Sequence, residues 1–457
     1  MDSQFARTPR LFVANRGEIA LRVIKAGHAL GLETVIGVSM ADRDSLAAKA
    51  ATRALVLGPA PARASYLDPN LVVHAAKATG CTILHPGYGF LSERPELPEL
   101  CAEHGIAFVG PTGTSIRAVG DKLSSKRLAE AAGVPMTTGS GKLRDVEHAL
   151  SVAASIGYPL ITKASAGGGG RGMIVARNAK QLAEAFVGAS ATAREAFGDD
   201  TLYIEAYVER ARHLEVQIMG DGNGRVVHIG ERDCSIQRRY QKMIEEAPAS
   251  ILDAETRIRL RKAAVDLLSS ISYRNAGTVE FLYDADRSTF SFMEVNARIQ
   301  VEHPVSEEIS GLDLIRMQIE LGMGRSALPP QSAVETKGHA IEARILAEDP
   351  ARGFAPSPGR ITRWEPPAGE GIRLDTGVGL NSVVPPYYDS MIAKLITRGE
   401  NREQAIERML GALSAFRVEG LATNIPLLQA IVGHEDFHRN AVSTRWLETT
   451  LLPAFNP

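Results

Sequence analysis

Cysteine is scarce in this 457-residue chain: Cys81, Cys101 and Cys234 lie far apart and form no C-x-x-C pair. That excludes a disulfide framework and a cysteine zinc site, and the three read as reduced thiols. No uninterrupted apolar run reaches the roughly 18 to 20 residues that span a bilayer, and Met1 to Pro9 has no apolar stretch of the kind a secretory leader carries. A cytoplasmic protein with no membrane partner is expected. An excess of one charge is missing too. Lys and Arg number 51 against 53 Asp and Glu, a net charge of -2 with the signs interleaved, which argues against a nucleic-acid partner. No internal repeat, low-complexity tract or G-x-x-x-x-G-K-[ST] occurs, so a P-loop NTPase is excluded. What is present is ordinary for a globular chain, at 44% hydrophobic and 23% charged, with length for two or three domains.

The stretch richest in chemistry runs Glu294-Val295-Asn296-Ala297-Arg298-Ile299-Gln300-Val301-Glu302, then His303-Pro304, with polar and apolar residues alternating throughout. Read as a strand, it places two carboxylates, two amides and a guanidinium on one face. Just before it, Gly277 to Tyr283 and Thr289 to Glu294 flank the turn-rich Asp284 to Ser288, the pattern of a hairpin. A turn centred near Arg287 brings Glu280 opposite Glu294. Facing carboxylates repel, so an oxygen set of Glu280, Glu294 and Asn296 asks for Mg²⁺ or Mn²⁺. Mg²⁺ keeps few protein ligands and completes its shell with water and phosphate oxygens, which points to a nucleotide.

Upstream, apolar runs ending at Lys163 and beginning at Met173 bracket Gly167, Gly168, Gly169, Gly170 and Gly172. This reads as strand, flexible flap, strand, whose backbone N–H groups can close on phosphate oxygens. A formal G-x-G-x-x-G match at Gly167, Gly169 and Gly172 does not signify a dinucleotide fold. That fingerprint needs a following helix, and Ile174 and Val175 announce a strand.

Taken together, flap, acidic hairpin and the run Asn296 to Pro304 resemble the ATP-grasp fold, and among its members the biotin carboxylases. The likeness extends over Ala14 to Ala20, His85 to Glu93, Gly120-Asp121-Lys122, Glu231 to Ser235, Glu245 to Pro248 and Pro385 to Met391. It implies a mixed α/β and α+β chain. An N-terminal Rossmann-like (pre-ATP-grasp) domain takes residues 1–118, an ATP-grasp domain 119–330 with a mobile lid at about 134–206, and a β-rich C-terminal domain 337–446.

The resemblance also implies roles. ATP would be held by Lys122, Lys163, Glu205, His213 and Gln237, with Tyr240 nearby, Lys163 near the phosphates and Glu205 toward the adenine. Glu280, Glu294 and Asn296 match the metal ligands, and Lys242, Arg298, Gln300, Val301 and Glu302 the bicarbonate site. Tyr88 and Arg344 fall where biotin would sit. Glu302 would take the bicarbonate proton as it attacks the γ-phosphate, giving carboxyphosphate, and Arg344 would stabilise the biotin enolate. Arg344 could instead simply pair with Glu342 on the same expected strand.

The chain departs from the family pattern at four places: Ala166 stands for a flap glycine, Tyr240 for a histidine, Ala297 for a threonine and Leu346 for an asparagine. No Met-Lys-Met occurs, so the biotin carboxyl carrier protein and the carboxyltransferase are expected on separate chains, with this chain a homodimer. Another ATP-grasp carboxylate ligase, or a weak paralogue acting as a scaffold, also fits part of the pattern.

Overall fold

The structure, a computed structural model, describes residues 9–164, 173–325 and 328–456. The flap glycines Gly167, Gly168, Gly169 and Gly170, and Ala166 beside them, lie outside the described residues. The N-terminal part is a parallel sheet in the order Arg53–Gly58, Glu33–Ser39, Arg10–Val13, Ile83–His85, Ala107–Phe108. Its three inner strands, Glu33–Ser39, Arg10–Val13 and Ile83–His85, are largely buried because both faces of the sheet are covered there, whereas the edge strand Arg53–Gly58 is mostly exposed. Leu11 and Val13 feed one core while Phe12 and Ala14 feed another. The strand order reverses beside Arg10–Val13, and ligand crevices open at the carboxyl ends of strands at such a switch point. The segments leaving there carry Asn15 to Glu18 and Pro86 to Phe90.

The lid is a small sheet in the order Ile174–Ala176, Leu160–Ala164, Leu202–Ala206, with the helices Val146–Ile156 and Ala179–Phe197 against it. The two strands expected on either side of the glycine segment are thus observed, paired antiparallel. Asp145 and Asn178 cap the two helices, and Leu160, Leu182 and Ile204 belong to the lid's own core.

The remaining wall is one eight-stranded sheet, in the order Thr289–Asn296, Arg274–Asp284, Ala211–Asp221, Val226–Arg238, Gln241–Ala247, His339–Leu346, Met391–Gly399, Ile372–Thr376. Its first five strands precede residue 330 and its last three follow it. The sheet therefore continues across the expected domain boundary. The acidic hairpin forms as read, with Glu280 directly across from Glu294.

One expectation is corrected. The alternating run does not continue as a strand to Glu302: the strand ends at Asn296 and a helix begins at His303. The Ala297 N–H goes to the Glu93 carboxylate (3.1 Å) instead of the ladder, and Pro304 suits the first turn of the helix that follows. Arg298, Gln300 and Glu302 thus sit on an irregular segment. Among the described residues no helix is long and apolar enough to cross a membrane.

Candidate active site

The three parts meet around a cavity of about 750 Å³, lined by Glu18 and Tyr88 from the N-terminal part, Lys163 and Glu205 from the lid, the acidic hairpin, Arg298, Gln300, Val301 and Arg344. At the lid end, Glu205 is clamped by two lysines. Lys163 Nζ donates to its Oε2 at 2.5 Å, and Lys126, which stacks over the Tyr203 ring at 4.2 Å, holds its other oxygen. Burial works against this carboxylate, yet the two ammoniums keep it below the usual range. Burial together with the nearby Lys163 and Lys126 lowers Lys122. Three cations thus converge on one end of the cavity, an arrangement suited to a polyphosphate.

Beside them lies the hairpin. Glu280 Oε1 accepts from Asn296 Nδ2 (2.9 Å), Lys242 Nζ (3.1 Å) and Gln300 Nε2 (3.3 Å), while its Oε2 lies 2.9 Å from His213 Nε2. Gln237 Nε2 meets the other ring nitrogen of His213 at 2.8 Å. Despite burial, Lys242 and His213 hold Glu280 well below the carboxylate range, whereas burial and Glu280 push Glu294 up. Two carboxylates directly across one ladder concentrate negative charge at the cavity wall. Glu280, Glu294 and Asn296 therefore fit a hard divalent cation, which would share Glu280 with its present donors.

Lys242 is the hub of the next layer. Its ammonium contacts Glu302 at 2.6 Å, Glu215 at 2.7 Å and Glu280 at 3.1 Å, and these three carboxylates raise it well above the lysine range against its burial. The fully buried Arg232 backs Glu215, and its Nη1 donates to Gln217 (2.8 Å) and Ser306 (3.0 Å). Glu302 is completely enclosed between Lys242 and Arg344, whose Nη2 donates to it at 2.9 Å; though burial opposes the charge, these cations hold it well below its ordinary range. The Cys234 thiol lies 3.9 Å from Glu302, and burial keeps it protonated.

Arg344 pairs with Glu245, through Nε at 2.6 Å, and with Glu302, not with Glu342. Glu342 stands across the ladder from Glu245 with neither oxygen hydrogen-bonded among the described residues. Burial raises it well above the carboxylate range and lifts Glu245 to about 7. Arg298 fans out to Glu93 (2.9 Å), Gln300 Oε1 (2.6 Å) and Asn296 Oδ1 (3.1 Å). Val301 lines the cavity with them. Tyr88, half-buried, donates to Glu18, and Asn15 ties its turn through the carbonyls of Pro86 (2.7 Å) and Tyr88 (2.8 Å).

Every described residue singled out from the sequence thus borders one cavity or, like Glu302, lies directly behind its wall. Tyr240 does so from a two-residue turn, with Arg239 at φ 50° and Tyr240 at φ 65°, and is 59% exposed. Of the other departures, Ala297 is buried in the core beneath the hairpin and Leu346 in that of the C-terminal part. Sequence reading missed Lys126, Glu215, Glu245 and Glu93. The last two lie in quoted motifs, and Glu215 shares the alternation of His213 and Gln217; nothing local marks Lys126.

Comparison with known proteins accords with this geometry. Residues 7–116 match the family profile "Biotin carboxylase, N-terminal domain", 121–329 "Carbamoyl-phosphate synthase L chain, ATP binding domain" and 342–449 "Biotin carboxylase C-terminal domain". Biotin carboxylase 1 of Bacillus subtilis is 47% identical over 96% of this chain and 98% of its own. The chloroplastic biotin carboxylase of Arabidopsis thaliana is 48% identical over 96% and 82%. Among solved structures, a biotin carboxylase–β,γ-ATP complex from Campylobacter jejuni superposes with a TM-score of 0.92 at 43% identity, covering 98% of this chain and 100% of that one. The biotin carboxylase domain dimer of Hydrogenobacter thermophilus 2-oxoglutarate carboxylase, solved with MgADP, ADP and bicarbonate, gives 0.90 at 43% identity over 96% and 97%. With three profiles in order along its length and relatives this similar end to end, the chain belongs to the biotin carboxylase family.

Proposed function

We propose that this chain carries out ATP-dependent carboxylation of biotin with bicarbonate, as the first half-reaction of a biotin-dependent carboxylase. The observation that carries the reading is Glu302 enclosed between Lys242 and Arg344, with Arg298 at the adjoining cavity wall. Guanidinium and ammonium groups around a small recess suit a planar oxyanion, and a fixed carboxylate beside it suits a base.

Held by both cations, Glu302 is too well stabilised as an anion to be a good base. A bicarbonate that takes a share of Lys242 and Arg344 weakens that stabilisation and lifts Glu302 toward a useful pKa. Glu302 then accepts the bicarbonate proton as the oxyanion attacks the γ-phosphate. Lys122, Lys126 and Lys163 would hold the phosphate oxygens, Lys126 and Lys163 being drawn from Glu205 as ATP enters. Glu280, Glu294 and Asn296 would hold Mg²⁺ or Mn²⁺, which supplies charge neutralisation at the phosphates. Arg344, rigidly paired, is placed to stabilise negative charge on the biotin ring oxygen, with Tyr88 on the facing wall.

Biotin would arrive on a carrier protein, and the acyl or keto acid acceptor, acetyl-CoA for instance, would be met on a separate carboxyltransferase. A homodimer in the cytoplasm completes the proposal; the Hydrogenobacter relative is described as a dimer. Release of ADP in the presence of bicarbonate, with and without free biotin, tests it. Biotin-dependent release is expected. Release indifferent to biotin would point to another ATP-grasp ligase, and none even with a biotinylated carrier would leave a scaffold.

A further inference from the structure

Lys394 is fully buried, and none of the roles above employs it. It lies on the strand Met391–Gly399, beside Arg344 on one neighbouring strand and Asp375 on the other. Its ammonium donates to the Val301 carbonyl at 2.9 Å, lies 3.1 Å from Glu18 Oε1 and stands 4.0 Å from Asp375 Oδ2. Glu18, in the first turn of the helix Gly17–Ala29, accepts the hydrogen bond of the Tyr88 hydroxyl. One cation thus touches the segment that leads into Glu302 and, one carboxylate away, the side chain on the facing wall.

Fixing the Val301 carbonyl fixes the peptide plane that it shares with the nitrogen of Glu302. The two preceding carbonyls are held in the same manner, Ile299 by Arg298 Nη1 at 3.1 Å and Gln300 by His303 Nδ1 at 2.7 Å. Three successive carbonyls of a segment with no ladder end on side chains, which holds an irregular backbone to one conformation. A buried ion pair is a poor source of stability, since an apolar side chain of the same volume avoids its desolvation. The network around Lys394 therefore needs another explanation, and its partners indicate one.

We propose that Lys394 is a positioning residue: its ammonium sets the Val301–Glu302 peptide and, through Glu18, the Tyr88 hydroxyl, so that the bicarbonate recess and the biotin wall are held in register. The naming of those two walls rests on the proposed function, whereas the mechanical coupling does not. Hydrogen exchange by mass spectrometry on the unliganded full chain tests the coupling. In Lys394→Met, peptides covering 297–306 and 86–92 are expected to exchange about tenfold faster or more, with peptides covering 11–13 and 214–219 unchanged. In Glu18→Gln, only 86–92 should accelerate. Unchanged exchange at 297–306 in Lys394→Met would overturn the proposal, as would uniform acceleration of the whole chain, the mark of a residue that merely stabilises.

Kinetics test the assignment of the walls. Lys394→Met should raise KM for both bicarbonate and biotin about tenfold while KM for ATP stays constant, and Lys394→Arg should recover part of the loss. An equal rise in KM for ATP contradicts the proposal. Should the wild-type chain show no biotin-dependent ADP release, the functional reading fails, and the exchange data still decide whether Lys394 joins the two segments.

Discussion

Glu302 shows how a residue's chemistry is set by its neighbours. Replacing it with glutamine keeps its shape and its ability to accept from Lys242 or Arg344, so the fold should survive while the proposed base is lost. Turnover should fall by about 10² to 10⁴ with ATP affinity nearly unchanged, measured by steady-state ADP release and nucleotide titration. A loss of ATP affinity at constant turnover would contradict the role. Glu246 offers a second residue with a measurable signature. Its oxygens accept from Arg402 Nε (2.6 Å) and Nη2 (3.1 Å) and meet His339 Nε2 at 2.8 Å, which outweighs burial and brings its pKa down to about 2. A depressed carboxylate contributes stability above its unfolded pKa of about 4.3 and loses that contribution as pH falls toward the folded value. Denaturant midpoints of the wild type should therefore drop between about pH 4.3 and 2. Glu246→Gln should be less stable at pH 7, by about 3 kcal/mol, and lack that component of the acid transition.

At the scale of elements, the hairpin and the two strands that flank the glycine segment were legible because their information is local. Alternation wrote two strands, a turn-rich segment joined them, and charge repulsion fixed the importance of Glu280 opposite Glu294. The continuation to Glu302 was not legible, because Glu93, distant in sequence, takes the Ala297 N–H that a ladder would have used. Nor was the neighbour of Arg344: the strand Gln241–Ala247 pairs with His339–Leu346 from about a hundred residues away, and only that pairing brings Glu245 to it. Long-range contact also explains a glycine. A Cβ on Gly377 would fall 2.5 Å from the backbone carbon of Gly17 and 2.7 Å from the Glu18 nitrogen, so the segment after the strand Ile372–Thr376 presses on the start of the helix Gly17–Ala29. Backbone cannot yield as a side-chain tip can. Gly377→Ala should cost about 1–3 kcal/mol and displace Glu18, raising KM for biotin more than KM for ATP, checked by thermal melts and kinetics.

Across the whole molecule, the continuous sheet limits how the chain can be divided. The family profiles break between residues 329 and 342, which invites a cut after Pro330 to isolate the nucleotide-binding part. In the fold that cut runs through a sheet. It would remove His339–Leu346 from its neighbour Gln241–Ala247, turning four paired positions, Ile244 to Ala247, into an open edge. It would also bare Met243 and Ile244, which belong to the same core as Ile341, Ile345 and Leu395. An unpaired, apolar edge strand is a template for aggregation. A chain ending at Pro330 should therefore be insoluble or polydisperse by size-exclusion chromatography, whereas the lid, with a separate core around Leu160 and Leu182, should be the first region cut when the intact chain meets dilute protease. A monodisperse, cooperatively melting 1–330 fragment would show that the last three strands are an appendage; the pairing of Arg344 with both Glu245 and Glu302 argues that they complete the cavity wall.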